Sequence, residues 1–253
     1  MTLIRPGLCS VTFRALAPEQ IVDLVSKAAL EVIEWGGDVH VPAGDVTRAE
    51  RVASLTADAG LKVASYGSYF GAGIAEPLTP ILDSAEALGA DRIRIWAGGI
   101  GSAVATDADW AATVTRLQAA ASEATSRGIA LALEFHSGTL ADTAPTTLRL
   151  LDDVGHPALS TYWQPSISTH DGAAIAEYEV MAKRTTAVHV FSWWPKTERL
   201  PLSGRASLWT RFFAAAQQAD SPPRDALLEF VPGDQPELLA TEADALLNYL
   251  GRR

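Results

Sequence analysis

The chain has little cysteine, little histidine and few positive charges for its length. Its 253 residues include one cysteine, Cys9, and five histidines. A single cysteine excludes an internal disulfide and any metal site built from several cysteines. The 20 Lys and Arg residues against 30 Asp and Glu give a formal net charge of −10. This acidic balance argues against a nucleic-acid partner, because phosphate binding needs a basic surface.

Long apolar runs and a targeting pattern are also lacking. Every apolar run is broken by a charge or a glycine before it could span a membrane, so no membrane partner is predicted. The first six residues, Met-Thr-Leu-Ile-Arg-Pro, lack the basic-then-apolar pattern of a signal peptide, which predicts a cytoplasmic protein. What the chain does contain is a 48% hydrophobic share with 20% charged residues, which is enough to fill a sizeable core.

Strand-like and helix-like segments alternate along the whole chain. Short apolar runs are followed by longer amphipathic stretches that often end at glycine, and the links between them are short. The pattern has eight such alternations without a break in composition. It predicts an α/β protein with one (β/α)8 TIM barrel that spans residues 1–253 as a single domain. The longest irregular segment, residues 192–207, is where a functional loop is expected.

Residues 130–138, Ala-Leu-Ala-Leu-Glu-Phe-His-Ser-Gly, form the most informative predicted strand. Alternation places Ala132, Glu134 and His136 on one face and bulky Leu and Phe side chains on the other. In a parallel barrel the bulky face meets the helices, while the other face rises through the interior to the carboxyl end. Active sites lie at that end, so Glu134 and His136 are candidate active-site residues.

The next three predicted strands end in similar side chains. Gln164, His189 and Glu229 stand at or near the carboxyl ends of the sixth, seventh and eighth strands. Together with Glu134 they offer two carboxylates, one amide oxygen and one imidazole, a donor set that suits Mn, Mg, Co or Zn. Burying these groups without partners would be costly. We therefore predict that the four side chains hold one divalent metal ion.

Each of these residues also has an ordinary structural explanation. A single histidine in a strand is more often a hydrogen-bonded core residue than a ligand. Arg94 shares the inner face of the fourth strand with Trp96 and could form an ion pair with Glu34, which would account for one carboxylate. Cys9, alone at a predicted strand end, is more often a small buried residue than a nucleophile.

Aromatic and charged residues cluster at or just after the predicted strand ends. Flat rings at a cavity mouth suit a carbohydrate or glycoside ligand, and basic residues could meet an anionic group. The candidate substrate-binding residues are Trp35, His40, Tyr66, Trp96, Trp193, Lys196 and Arg199.

Over nearly its whole length the chain resembles the xylose-isomerase-like TIM barrel superfamily of sugar phosphate isomerases and epimerases. The resemblance rests on Ile33-Glu-Trp-Gly-Gly37, Glu134 in Leu-Glu-Phe-His, His189 in Val-His-Val-Phe and Glu229 in Leu-Leu-Glu-Phe. In that family the ends of strands five to eight supply Glu, Asp, His and Glu as metal ligands. Gln164 stands here in place of Asp, which removes one negative charge. Ile167 occupies the position, three residues after Gln164, where members of that family often have a His.

The resemblance implies a metal-dependent isomerase or epimerase that acts on a keto sugar or cyclitol. Such an enzyme removes a proton alpha to a carbonyl and passes through an enediolate. Glu134, Glu229 and His136 are the candidate catalytic residues, and the choice of base among them stays open.

Two other functions remain alternatives. The first is a lyase that dehydrates or cleaves an oxidised sugar or glycoside by beta-elimination at the same metal site. The second is a degenerate barrel that binds a sugar without turning it over, and Gln164 is the feature that favours it. Homo-oligomers are frequent in the family, although no segment of the sequence points to an interface.

Overall fold

A closed barrel of eight parallel strands is the centre of the molecule, as the sequence predicted. The computed structural model describes residues 4–72, 77–220 and 223–252. Around the barrel the strands follow one another in chain order, and the last strand closes on the first. The barrel strands are β1 (Arg5–Cys9), β2 (Val32–Gly36), β3 (Lys62–Gly71), β4 (Arg92–Trp96), β5 (Ala130–Leu133), β6 (Leu159–Trp163), β7 (Thr185–Val190) and β10 (Asp225–Leu228).

Helices follow the barrel strands and cover the outside of the barrel. Threonine hydroxyls cap two of them: Thr106 and Thr143 each accept a hydrogen bond from a backbone N–H in the first turn. Glycines in the left-handed conformation end two helices, at Gly89 and at Gly155, and the second of these is the helix that Thr143 caps. The helices are α1 (Pro18–Lys27), α2 (Val46–Asp58), α3 (Thr79–Leu88), α4 (Asp107–Ser126), α5 (Ala144–Val154), α6 (Asp171–Met181), α7 (Ala206–Gln218) and α8 (Leu239–Tyr249).

Small side chains fill the lower part of the barrel interior. Ala132 and Ala187 belong to the interior cluster, whereas Leu131 and Leu133 belong to the core between strands and helices. This confirms the predicted inner and outer faces. Gly7 is needed where β1 meets β2, because a Cβ there would lie 2.5 Å from the Val32 carbonyl oxygen.

A buried carboxylate holds together the amino-terminal end of the barrel. Asp225 is fully buried and accepts hydrogen bonds from Arg5 at 2.6 Å and from Arg92 at 2.5 Å. Arg224 adds a third contact at 3.3 Å and also pairs with Asp91. This cluster lies at the end of the barrel opposite to the predicted active site, so we assign it to stability.

The segment after β7 is more regular than the sequence indicated. It contains an antiparallel hairpin of β8 (Ser192–Trp193) and β9 (Arg199–Leu200), which places Trp193 opposite Arg199. The alternation used to predict strands is too short to read in two-residue strands. Among the described residues, no helix combines the length and the apolar character needed to cross a membrane.

Candidate active site

A cavity of about 400 Å³ opens at the carboxyl end of the barrel. Its polar lining includes four of the predicted site residues, namely Glu134, His136, Gln164 and Glu229. Arg94 also lines the cavity, and aromatic and aliphatic side chains form the opposite part of the wall. The strand ends therefore bring together residues that are far apart in the chain, as expected for a parallel barrel.

The imidazole of His189 contacts several polar side chains at the base of this cavity. Its Nδ1 lies 3.0 Å from Gln164 Oε1 and 3.4 Å from Glu229 Oε2, and its Nε2 lies 3.4 Å from Glu34 Oε1. Burial alone would lower the pKa of His189, but the carboxylates of Glu229 and Glu34 outweigh burial and raise it to about 9. Two predicted metal ligands, Gln164 and Glu229, thus lie beside one imidazole nitrogen of a third, His189.

Arg94 bridges two buried carboxylates beside His189. Its Nε donates to Glu34 Oε1 at 3.0 Å, and its Nη1 forms an ion pair with Glu134 Oε2. Burial opposes the charge of Arg94, but Glu134 and Glu34 together raise its pKa well above the usual value. The pairing of Arg94 with Glu34 considered from the sequence is therefore confirmed, and Glu134 is a second partner that the sequence did not indicate.

Glu34 belongs to the site, although the sequence suggested it only as a partner for Arg94. It is 2% exposed, and Ser65 donates a hydrogen bond of 2.6 Å to its Oε2. Gly67 leaves room for the ion pair, because a Cβ at this position would lie 2.9 Å from Arg94 Nη2 and 3.0 Å from Glu34 Oε1. The alternation of β2, which turns Glu34 inward and Trp35 outward, is the signal that could have found it.

The charges around Arg94 bear on whether a metal ion suits this site. The carboxylates of Glu34, Glu134 and Glu229 face two positive charges, those of Arg94 and the protonated His189, so negative charge is in excess. Burial and the nearby Glu134 raise the pKa of Glu229, which reflects that excess. A divalent cation would relieve it, and carboxylate, amide and imidazole donors suit such an ion. The residues present therefore fit a metal.

A second group of potential ligands lies deeper in the barrel. Cys9, Glu34 and His189 are all buried, and each offers a donor atom within 4.8 Å of the others. Burial and the charge of Glu34 raise the pKa of the Cys9 thiol well above its usual value, so the sulfur remains protonated at neutral pH. A thiol binds a metal only after it loses this proton, and neither Cys9 nor Glu34 lines the cavity, which leaves the cavity-facing set as the better one.

His136 lies on the cavity wall, apart from the ion pairs. Its Nδ1 is 2.6 Å from the carbonyl oxygen of Ser137, and its ring contacts Trp96 with a centroid distance of 4.6 Å. A carbonyl only accepts hydrogen bonds, so Nδ1 carries the proton and the Nε2 lone pair is available. His136 is thus a half-buried imidazole held in one tautomer.

Three predicted substrate-binding residues lie outside the lining of the cavity. Trp35 is fully buried and donates to Thr56 at 3.1 Å, while Tyr66 donates to the Val41 carbonyl at 2.7 Å. His40 is 1% exposed and contacts Ser10 and Leu16. Nearness to a strand end suggested a binding role, but the side chains of Trp35 and Tyr66 point outward to the helices.

The remaining predicted substrate-binding residues divide into two groups. Trp96 and Trp193 line the cavity. Arg199 lines a neighbouring cavity and pairs with Asp234, and Lys196 is exposed in the turn between β8 and β9.

Two charged residues of the cavity wall, Arg14 and Asp142, were not among the predicted site residues. Arg14 is the better connected of the two. It donates to Asp38 at 2.8 Å and to Tyr69 at 2.8 Å. Arg14 lies in the loop after β1, where no alternation pattern marks a direction for its side chain.

Comparison with known proteins identifies the same fold in enzymes. A 3-dehydroshikimate dehydratase from Bacillus anthracis is 26% identical over 164 residues, which is 60% of this chain and 59% of the dehydratase. The aligned part therefore spans less than two thirds of that relative. The crystal structure of the probable 3-DHS dehydratase of Bacillus anthracis involved in petrobactin synthesis superposes with a TM-score of 0.81 at 19% identity. That superposition covers 97% of this chain and 99% of the other.

Two further structures share the fold at lower similarity. An L-ribulose 3-epimerase has a TM-score of 0.68 at 18% identity, covering 98% of this chain and 94% of its own. A xylose isomerase-like TIM barrel protein from Mycobacterium smegmatis, in complex with magnesium, has a TM-score of 0.70 at 15% identity. That superposition covers 97% of this chain and 96% of the other. A family profile described as xylose isomerase-like TIM barrel matches residues 22–247. The chain belongs to the xylose isomerase-like TIM barrel family.

Proposed function

We propose that this protein is a divalent-metal-dependent lyase that eliminates water from a small hydroxylated keto compound. One observation carries the proposal: His136 presents a free Nε2 lone pair to the cavity, while the carboxylate of Glu134 is occupied by Arg94. The proposed base is thus His136. The similarity to 3-dehydroshikimate dehydratases supports the choice of reaction class.

The proposed elimination needs one base and one leaving hydroxyl. His136 Nε2 takes the proton alpha to the carbonyl, and the same imidazolium then gives a proton to the departing hydroxyl at the beta carbon. A C–H and a C–O bond break, a C=C bond forms, and water leaves. Trp96 holds the imidazole ring in place, and the Ser137 carbonyl keeps the proton on Nδ1 before the reaction.

Gln164, His189, Glu229 and Glu134 are the residues that would hold the metal. When bound there, a divalent ion would act as a Lewis acid on the substrate carbonyl. Arg94 and Glu34 keep Glu134 and His189 in position through their ion pair and close contact. We propose that the bound ion is Mn, Co, Mg or Zn.

An epimerase is the second candidate, and Glu229 is the observation that favours it. Inversion at a carbon needs two groups that exchange protons on opposite faces of the substrate. Glu229 lines the cavity, and burial raises its pKa, so it is suited to carry a proton. Product analysis in D2O separates the candidates, because epimerisation conserves the mass apart from deuterium and elimination releases water.

Replacing His136 by asparagine is expected to lower kcat by about 100-fold to 10,000-fold, because the variant lacks the base. His156 is half-buried and contacts Ala158 N at 3.2 Å, outside the cavity lining. His156→Asn therefore serves as a matched control and should retain the wild-type rate. Steady-state kinetics on keto sugars, inososes and 3-dehydroshikimate measure both. Equal rates for His136→Asn and wild type would refute the assignment of the base.

Metal content offers an independent test of the donor set. Wild-type protein purified without chelator should contain close to one equivalent of metal, and Glu229→Ala should lose it. Gln164→Asp should bind the ion about tenfold more tightly, because it adds a negative charge to the site. Asp142→Asn is the control, since Asp142 lines the same cavity outside the donor set. Elemental mass spectrometry gives the metal content, and calorimetric titration gives the affinity for the metal. A wild-type protein that binds no metal would favour the sugar-binding alternative.

A further inference from the structure

Three aromatic rings form one side of the cavity, and we call Phe191, Trp193 and Phe230 the aromatic wall. The ring centroids of Phe191 and Trp193 are 5.1 Å apart, and those of Trp193 and Phe230 are 5.2 Å apart. Phe191 follows His189 by two positions, and Phe230 directly follows Glu229. The wall is therefore continuous with the side chains proposed to act on the substrate.

The backbone of Phe230 adopts a conformation that is rare for a bulky side chain. Its φ is 59°, in the left-handed region, and its N–H donates to Thr12 Oγ1 at 3.1 Å. A phenylalanine in this region is strained and persists only where the surroundings impose it. Such strain is often found where a side chain serves binding, and here it coincides with a residue of the cavity wall.

Arg199 supports the wall from the adjoining cavity. Its guanidinium lies 4.5 Å from the centre of the Phe230 ring and 5.7 Å from that of Trp193. An ion pair with Asp234 holds Arg199 in this position. Arg199 lines the neighbouring cavity with Phe230, whereas Phe230 also lines the proposed active site. Phe230 is thus shared by the two cavities, together with Val11 and Arg14.

The chemistry of the wall differs from that of the opposite side. Phe191 and Phe230 offer no polar atoms, and Ile167 and Pro165 complete an apolar lining next to them. Hydroxyl groups of a sugar placed against these side chains would lose their hydration without gaining partners. Trp193 Nε1 is a buried donor without an acceptor in the described part of the chain.

We infer that the aromatic wall binds a flat, conjugated six-membered ring, an inference that rests on the proposed lyase function. Aromatic rings prefer offset-stacked and edge-to-face contacts at the separations seen among these residues, and a flat ring can join such an arrangement. The ring has two potential sources. It is either an aryl group carried by the substrate or a ring that becomes conjugated as water leaves.

Binding of small probes tests the inference without requiring turnover. One arm compares phenyl β-D-glucopyranoside with cyclohexyl β-D-glucopyranoside, and the other compares a dihydroxybenzoate with the corresponding dihydroxycyclohexanecarboxylate. We expect at least one aromatic probe to bind about tenfold more tightly than its saturated partner. Preference in the first arm identifies an aryl substituent, and preference in the second identifies a ring formed by the reaction. Isothermal titration calorimetry measures all four affinities.

Variants link the preference to the wall. Phe230→Leu and Phe230→Ala should each reduce the preference for the aromatic probe about tenfold while leaving the saturated probe unaffected. Trp110→Leu is the matched control. The guanidinium of Arg149 lies 4.1 Å from the centre of the Trp110 ring, as that of Arg199 lies over Phe230, but Trp110 does not line the cavity. Thermal melting verifies that each variant is folded.

The outcomes separate the aromatic wall from the lyase proposal. Equal binding of aromatic and saturated probes in both arms would overturn the inference. So would a preference that survives in both Phe230 variants. A clear aromatic preference in a protein that turns over no keto compound would support the wall while removing the proposed lyase.

Discussion

Replacing Asp225 by alanine is expected to lower the free energy of unfolding by about 3–5 kcal/mol, because the change leaves buried positive charge without its partner. Asp225 is fully buried, and the Arg92 side chain that contacts it is 4% exposed. Arg5 and Arg224 lose a partner as well, although both are partly solvated. Chemical denaturation at pH 7 measures the loss.

Asp91→Ala provides the matched control at the same end of the barrel. Asp91 is 64% exposed and pairs with Arg224 at 2.7 Å, so its removal should cost less than about 1 kcal/mol. If both variants lose the same small amount of stability, the buried cluster does not hold the barrel together. Because Asp225 lies far from the proposed active site along the barrel axis, the metal affinity of a folded Asp225→Ala protein should match that of the wild type.

Arg94→Met is the second change with a large expected effect. It removes the partner of two buried carboxylates, Glu34 and Glu134, and should cost about 3–5 kcal/mol of unfolding free energy at pH 7. Arg127→Met is the control, because Arg127 also bridges two carboxylates, Asp83 and Glu86, but at the surface. That variant should lose much less stability than Arg94→Met, because water screens exposed ion pairs. Similar losses in both variants would contradict a special role for burial.

The cost of Arg94→Met should also depend on pH. Burial would raise the pKa of Glu34, but Arg94 and His189 outweigh it and hold that pKa well below the usual range. A lowered native pKa stabilises the folded protein above the unfolded-state value of about 4.3, and this stability is lost as pH falls toward the native value. In Arg94→Met the carboxylate loses this cation, so its native pKa rises. The stability difference between wild type and variant should therefore shrink as pH falls below about 4.3, and a difference that stays constant down to about pH 3 would argue against the ion pair.

Much of the fold could be predicted because it depends on local patterns. The period-2 alternation of residues 130–136 and the regular spacing of apolar segments were sufficient for an eight-stranded parallel barrel. Strand parity also placed Glu134, His189 and Glu229 on the interior face. The same parity turns Trp35 and Tyr66 toward the helices, although both stand near a strand end.

The two-residue strands of the hairpin and the direction of the Arg14 side chain could not be predicted from alternation. A strand of two residues is too short for a periodic signal, and a loop side chain has no alternation that assigns its direction. The aromatic wall could not be predicted from local patterns either. The N–H of Phe230, whose backbone is left-handed, donates a hydrogen bond to Thr12, 218 positions away in the chain.

By itself the sequence determined the order of elements, the inward faces of the strands and the side chains that reach the carboxyl end of the barrel. Only the tertiary structure decided which of these side chains pair. Arg94 reaches both Glu34 and Glu134, and His189 lies between Gln164, Glu229 and Glu34. Periodicity is a property of neighbouring residues, whereas pairing depends on distances across the closed barrel.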